Sequence, residues 1–152
     1  MIDRSYADFA WEQAAALLGI DSPSGFTANA ARWVKNAFES LGCPASITTK
    51  GGVLVELGGK NAGDALFLEA HTDTLGAMVS QIKGNGRLKL TPLGGMSPNN
   101  AEAENVRVYT RSGKIYEGTC QLADASVHVN GNYADTKRTY DTIEIVLDES
   151  VT

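Results

Sequence analysis

The residues best suited to chemistry in this chain are His71 and Asp73, which stand two positions apart in the tripeptide His71-Thr72-Asp73. An imidazole that binds a metal ion usually donates its second ring N–H to a carboxylate, which fixes the tautomer and orients the ring. An aspartate two residues away can accept that hydrogen bond. The alternative is a structural histidine that is hydrogen-bonded at the end of a strand, with Asp73 as a residue of the turn that follows. The spacing alone leaves both interpretations open.

Other polar side chains lack the partners that catalysis or metal binding needs. His128 alternates with two valines and is expected to be structural or to face solvent. Glu102 and Glu104 are expected to lie in a solvated loop. Ser22 and Ser24 have no local base and no G-x-S-x-G elbow, so residues 22–25 are interpreted as a turn.

The element expected to position His71 is a strand over residues 65–70, because Ala65-Leu66-Phe67-Leu68 is a continuous apolar run. Such a run is typical of a strand that is buried on both faces. In open α/β sheets, ligands bind at the carboxyl ends of the strands, and His71 stands just past such an end. Shorter strands are predicted over residues 47–50 and 53–57. We therefore expect the beginning of an α/β sheet before residue 74.

Two helices are predicted upstream of that sheet from apolar residues at helical spacing. The first begins near Ser5 and ends at Gly19. The second is capped by Thr27 and ends at Gly42, which can take the left-handed conformation of a helix terminus. Because each helix has one apolar stripe, we expect both to cover the sheet.

After Thr74 the pattern is that of β-structure alone. Strands are predicted over residues 77–83, 87–91, 106–110, 115–118, 126–129 and 142–147, with a strong hairpin signal at Gly84-Asn85-Gly86. Many short strands joined by turns are typical of a small barrel or sandwich. The change of pattern predicts a boundary near residue 74, between a first domain over 1–74 and a β-rich domain over 75–152.

Composition excludes several classes of function. The 152 residues include 13 Lys or Arg and 18 Asp or Glu, a net charge of −5, and 43% are hydrophobic. No dense basic cluster occurs, so nucleic acid is not an expected partner. No apolar stretch reaches the roughly 20 residues that span a bilayer, and no signal peptide is recognisable, so no membrane partner is expected. Two distant cysteines, Cys43 and Cys120, suit a reducing compartment, and we expect a cytoplasmic protein.

Several motifs occur together in one order along the chain. They are Ser22-Pro23-Ser24-Gly25, the segment 71–79 that begins His71-Thr72-Asp73, the segment 84–88, Gly94-Gly95, Glu104-Asn105 and the segment 126–129. In these motifs the chain resembles the cytoplasmic di-metal aminopeptidases, which include glutamyl aminopeptidase and tetrahedral aminopeptidase and some proteins once labelled endoglucanases. The resemblance covers nearly the whole sequence.

The resemblance implies a fold and a site. The fold would be the start of a peptidase α/β sheet with covering helices, followed by an inserted all-β, barrel-like domain used for assembly. His71 would be the first ligand of two divalent metal ions, zinc first and cobalt or manganese as alternatives. Asp73 would be the catalytic-site residue that holds its imidazole. Many relatives have Asp-Glu-Ile-Gly where this chain has Asp73-Thr74-Leu75-Gly76, so any role of that glutamate is absent here.

The resemblance also implies that this chain lacks most of the site. In the family, a bridging aspartate, adjacent glutamates of which one is the general base, a further acidic ligand and a final histidine follow the β insertion. We therefore expect the amino-terminal portion of an aminopeptidase that acts on peptides and is inactive alone. The alternative is a natural short relative that serves as a non-catalytic assembly or interaction module. A third interpretation, another di-zinc peptidase or amidohydrolase, is disfavoured by the all-β pattern after the motif.

Oligomerisation is expected for two reasons. The family implies a homo-oligomer formed through the β-rich domain. Independently, part of a larger sheet would expose an apolar edge that invites pairing with another chain.

Overall fold

A computed structural model describes residues 3–61 and 63–150 of the chain. The elements in chain order are α1 (Arg4–Leu18), α2 (Ala28–Ser40), β1 (Ala45–Ile47), β2 (Val53–Val55), β3 (Gly76–Ile82), β4 (Leu88–Leu93), α3 (Pro98–Ala101), β5 (Asn105–Tyr109), β6 (Ile115–Leu122) and β7 (Ile143–Leu147). They form two compact units that divide between Thr74 and Leu75. We call these the amino-terminal unit and the β-rich unit.

Both predicted helices form in the amino-terminal unit. The first helix was predicted to begin near Ser5 and begins at Arg4, with Asp3 as its N-cap. The Asp3 carboxylate accepts a hydrogen bond of 3.0 Å from the Ser5 backbone N–H. Gly19 caps its carboxyl end. After α2, Gly42 has a φ of 81°, the left-handed conformation that glycine adopts without steric cost.

The expectation that both helices cover a sheet holds for α2 only. β1 and β2 form a two-stranded antiparallel ladder, in which Ala45 pairs with Val55. α2 contacts this ladder and buries Ala30 and Ala31. Helix α1 has no buried residue, and Trp11 is 77% exposed. A two-stranded ladder is too small to accept the apolar stripes of two helices.

The prediction of a buried strand over residues 65–70 is wrong for this chain. The segment is irregular, and Leu66, Phe67 and Leu68 are 84%, 71% and 73% exposed. A strand needs a neighbouring strand to accept and donate its backbone hydrogen bonds. No strand within residues 3–61 or 63–150 pairs with this segment. The apolar run therefore marks a segment suited to burial that has no sheet around it here.

The β-rich unit contains one antiparallel sheet of five strands in the order β3-β4-β7-β6-β5. The predicted hairpin at 84–86 joins β3 to β4, with Ile82 paired to Leu88. A second hairpin joins β5 to β6. The strand predicted over 126–129 is wrong, because these residues lie in turns, and the short helix α3 was not predicted.

The core of the β-rich unit lies on one face of this sheet. It contains the buried residues Leu88, Ala101, Cys120, Leu122, Ile143 and Ile145. Gly118 of β6 faces β7 so closely that an added Cβ would lie 2.5 Å from the Val146 carbonyl oxygen. No helix in the described part of the chain is both long enough and apolar enough to cross a membrane.

Candidate metal centre

The His71 imidazole is held through one ring nitrogen. Its Nδ1 lies 3.2 Å from Asp73 Oδ1 and 3.0 Å from the Asp73 carbonyl oxygen. Both neighbours are hydrogen-bond acceptors, so the tautomer of the neutral imidazole that fits these contacts carries its proton on Nδ1. Nε2 then presents the lone pair with which a histidine binds a metal ion.

Backbone contacts fix the segment that carries this pair. The Thr74 N–H donates a hydrogen bond of 2.8 Å to the Ser22 carbonyl oxygen, and Pro23 and Thr74 form an isolated parallel bridge. Phe26 N–H donates to the Pro23 carbonyl oxygen at 2.7 Å, which closes the turn that follows. The turn predicted over residues 22–25 therefore lies beside the residues that follow His71. The two segments are 49 positions apart, counted between Ser24 and Asp73.

Asp73 has a partner on each carboxylate oxygen. Ser24 Oγ donates a hydrogen bond of 2.6 Å to Asp73 Oδ2, and His71 Nδ1 lies against Oδ1. The Ser24 hydroxyl is the main reason that the pKa of Asp73 is lowered from its ordinary value; partial desolvation opposes the shift, and the His71 charge adds to it. Asp73 is therefore a carboxylate at neutral pH.

The site is open, and the described residues do not complete it. The His71 side chain is 85% exposed and that of Asp73 is 43% exposed. A zinc site normally takes at least three protein ligands. No group of three or more His, Cys, Asp or Glu side chains able to hold a metal ion occurs in residues 3–61 and 63–150. The donor set therefore fits one ligand of a metal centre, with an orienting carboxylate, and no more.

The remaining candidates from the sequence do not join this site. His128 is exposed in a turn of the β-rich unit, and Glu104 is also exposed. Glu102 is not the solvated side chain that we expected. Its carboxylate accepts hydrogen bonds of 2.6 and 3.1 Å from the Arg138 guanidinium and of 3.2 Å from the Tyr133 hydroxyl.

The cysteines are free thiols, with Cys120 buried and Cys43 half-buried. Burial raises the pKa of Cys120, which keeps it protonated at neutral pH.

Sequence reasoning missed Ser24 as part of the site. Its position in a predicted turn was identified, but its contact with Asp73 joins residues that are distant in sequence. The two serines also differ in a way that no local pattern shows. Ser22 is 1% exposed and its hydroxyl has no hydrogen-bond partner in the described residues, whereas Ser24 donates to Asp73.

Comparison with known proteins gives one consistent relationship. YhfE of Bacillus subtilis (strain 168), a protein assigned as an aminopeptidase, is 37% identical over 135 residues. That alignment covers 89% of this chain and 39% of YhfE. The present chain thus spans well under half the length of this relative.

Solved structures agree. The aminopeptidase APDkam598 from the archaeon Desulfurococcus kamchatkensis matches with a TM-score of 0.77 and 25% identity, over 91% of this chain and 37% of that one. PhTET1-12s, a dodecamer, shares the fold with a TM-score of 0.72 and 20% identity, over 91% and 39% of the two chains. The mixture of helices and antiparallel strands described above is therefore similar to the tetrahedral aminopeptidase fold.

A family model matches most of the sequence. The model of the M42 glutamyl aminopeptidase family matches residues 51–152, more than half of the chain, and this range includes the His71–Asp73 pair and the whole β-rich unit. The chain therefore belongs to the M42 glutamyl aminopeptidase family.

Proposed function

We propose that this chain is the amino-terminal portion of a metal-dependent aminopeptidase that hydrolyses amino-terminal residues from peptides. Membership of the family supports the aminopeptidase activity. The alignment with YhfE covers only 39% of that protein, which supports the view that this chain is a portion of a longer one. The observation that carries the proposal is the geometry of His71, whose Nδ1 is held by Asp73 while the exposed ring leaves Nε2 accessible to a metal ion. The chain alone is expected to be inactive, because its described residues offer one ligand.

In this proposal the two residues have different roles. His71 binds a metal ion through Nε2, and Asp73 is the catalytic-site residue that keeps the ring in that orientation. The group held would be a pair of divalent ions, with zinc first and cobalt or manganese as alternatives. When bound, such ions supply Lewis acidity toward the peptide carbonyl. Asp73 is ionised at neutral pH, and the Ser24 hydroxyl lowers its pKa further, so its carboxylate accepts the hydrogen bond from Nδ1–H.

The two units would then have separate tasks. Residues 1–74 would be part of the catalytic domain, and residues 75–152 would be an inserted, barrel-like assembly domain. The β-rich unit has its own core, which supports this division. The dodecameric state of PhTET1-12s supports homo-oligomerisation, and the exposed Met78 and Ile82 on edge strand β3 support the β-rich unit as its surface. Two free cysteines without a disulfide suit the reducing conditions of the cytoplasm.

One observation favours a second candidate function. The β-rich unit buries a core of its own, whereas the residues described in the chain offer no three-ligand metal site. A non-catalytic assembly or interaction module would need a core of its own but no metal site.

The proposal is tested on the complete gene product that contains these 152 residues. The protein is stripped of metal, reloaded with zinc, cobalt or manganese, and assayed with p-nitroanilides of glutamate, aspartate, lysine and leucine. We expect metal-dependent release of the amino-terminal residue from at least one substrate. His71→Ala should remove that activity, and Asp73→Asn should reduce it.

His128→Ala is the matched control, because it removes the other histidine of the chain from an exposed turn. It should leave the activity unchanged. An active enzyme that is insensitive to His71→Ala would contradict the proposal. A metal-loaded gene product without peptidase activity that still forms oligomers would support the assembly module instead.

A further inference from the structure

We propose that Ser24 is a positioning residue of the metal centre. Its hydroxyl holds the Asp73 carboxylate in the orientation in which that carboxylate orients the His71 ring. The inference rests on the proposed function, since it concerns the imidazole that we assign as a metal ligand.

The contacts form a relay of three side chains. Ser24 Oγ lies 2.6 Å from Asp73 Oδ2, within the short range of hydroxyl hydrogen bonds to charged oxygen. The other oxygen, Oδ1, lies 3.2 Å from His71 Nδ1. A carboxylate with one partner can still turn about its terminal torsion, whereas partners on both oxygens select one orientation.

The Ser24 hydroxyl is not needed to hold the two segments together. The bridge between Pro23 and Thr74 and the hydrogen bond from Thr74 N–H to the Ser22 carbonyl oxygen already join them through the backbone. The turn closed by Phe26 N–H fixes the backbone on the other side of Ser24. The hydroxyl therefore sits on a scaffold set by backbone contacts, and what it adds is the contact with Asp73.

The expected effect is a weakening of metal binding and not its loss. His71 Nδ1 has a second acceptor in the Asp73 carbonyl oxygen, at 3.0 Å. That contact survives when the carboxylate turns away, so the ring keeps part of its restraint. Loss of an orienting partner of a metal ligand typically lowers metal affinity by roughly 10- to 100-fold. For Ser24→Ala we expect the lower part of that range, about tenfold.

The test measures zinc affinity of the complete gene product by competition with a chromophoric chelator, independently of peptidase activity. Ser24→Ala should bind zinc about tenfold more weakly. Ser24→Thr keeps a hydroxyl and should bind zinc as the parent does. Ser22→Ala is the matched control, since it removes a neighbouring buried hydroxyl that has no partner in the described residues. It should leave zinc affinity unchanged.

A double-mutant cycle identifies the route of the effect. If Ser24 acts through Asp73, adding Ser24→Ala to Asp73→Ala should cause no further loss. A further tenfold loss in that background would overturn the relay, as would unchanged zinc affinity in Ser24→Ala itself.

Thermal unfolding of the metal-free protein separates positioning from folding. Ser24→Ala should melt within about 2 °C of the parent, because the backbone bridge remains. A zinc loss matched by a large drop in melting temperature would overturn the positioning role.

His71→Ala distinguishes the two levels of the proposal. If this variant binds zinc like the parent, the metal-ligand assignment fails and the inference fails with it. If His71→Ala loses zinc while Ser24→Ala does not, only the role of Ser24 is overturned.

Discussion

Replacing Phe67 with serine should weaken self-association of the 152-residue chain. Phe67 lies in the centre of the apolar run Leu66-Phe67-Leu68, which was predicted to be a buried strand and is 71–84% exposed. Its backbone has no partner strand in the part of the chain that the structure describes. Such a segment lowers its free energy by pairing with a second copy.

The magnitude follows from the exposed fractions. Full burial of a large apolar side chain is worth about 1.5–3 kcal/mol, so a side chain that is about three-quarters exposed can gain about 1–2 kcal/mol. The three together gain about 3–6 kcal/mol per copy, and so about 6–12 kcal/mol per dimer, against about 4–15 kcal/mol for the freedom lost when the dimer forms. Association is therefore expected to be weak and dependent on concentration. Removing Phe67 from both copies of a dimer costs about 2–4 kcal/mol, which raises the dissociation constant roughly thirtyfold to several-hundredfold.

Sedimentation velocity over a range of about 5–200 µM measures the effect. Leu18→Ser is the matched control, since Leu18 is 71% exposed, like Phe67, but lies at the end of helix α1 and outside both the apolar run and strand β3. We expect the parent chain and Leu18→Ser to associate as concentration rises, and Phe67→Ser to shift toward monomer. A parent chain that stays monomeric throughout would refute the reasoning. So would association that Phe67→Ser does not affect.

Three further predictions concern stability. Gly118→Ala should destabilise the β-rich unit by about 1–3 kcal/mol or more in thermal unfolding, because its Cβ would meet the Val146 carbonyl oxygen at 2.5 Å; an unchanged melting temperature would contradict this packing. The hydrogen bonds from Arg138 lower the pKa of Glu102 in the folded protein. The pair therefore stabilises the fold fully above the ordinary glutamate pKa of about 4.3, and this stabilisation is lost as the pH falls through the lowered pKa of the folded state. Glu102→Gln should cost about 1–2 kcal/mol in urea unfolding at pH 7 and less toward pH 3, whereas a loss independent of pH would exclude the ion pair as its cause. Ser22→Ala should leave the melting temperature unchanged or raise it, because it removes a buried hydroxyl without a partner in the described residues, and a drop of several degrees would show that the hydroxyl is bonded.

Local patterns in the sequence were sufficient for the elements whose partners are close along the chain. Helices α1 and α2 form where apolar spacing and a terminal glycine predict them, and the hairpin at 84–86 joins two strands that pair with each other. Each of these elements satisfies its backbone hydrogen bonds within itself or with its immediate neighbour. Their existence therefore depends little on distant residues.

The failures concern elements that depend on distant partners. The run at 65–70 has the composition of a buried strand, but composition does not supply the neighbouring strands that bury it. Residues 126–129 alternate like a strand, yet they lie in turns, with Asn130 N–H donating to the Ser126 carbonyl oxygen at 2.8 Å.

The same distinction applies to the candidate site. The His71–Asp73 contact was predictable because the two residues are two positions apart. The Ser24–Asp73 contact spans 49 positions and the Arg138–Glu102 contact spans 36, so neither contact can be predicted from the local spacing of residues.

Anomalous X-ray diffraction from crystals of the zinc-loaded complete gene product tests most directly the proposal that His71 is a metal ligand. Zinc binds histidine nitrogen at about 2.0–2.1 Å. We expect an anomalous peak at that distance from His71 Nε2, with Nδ1 still against Asp73. Zinc bound in the active enzyme with the His71 ring outside its coordination shell would contradict the account.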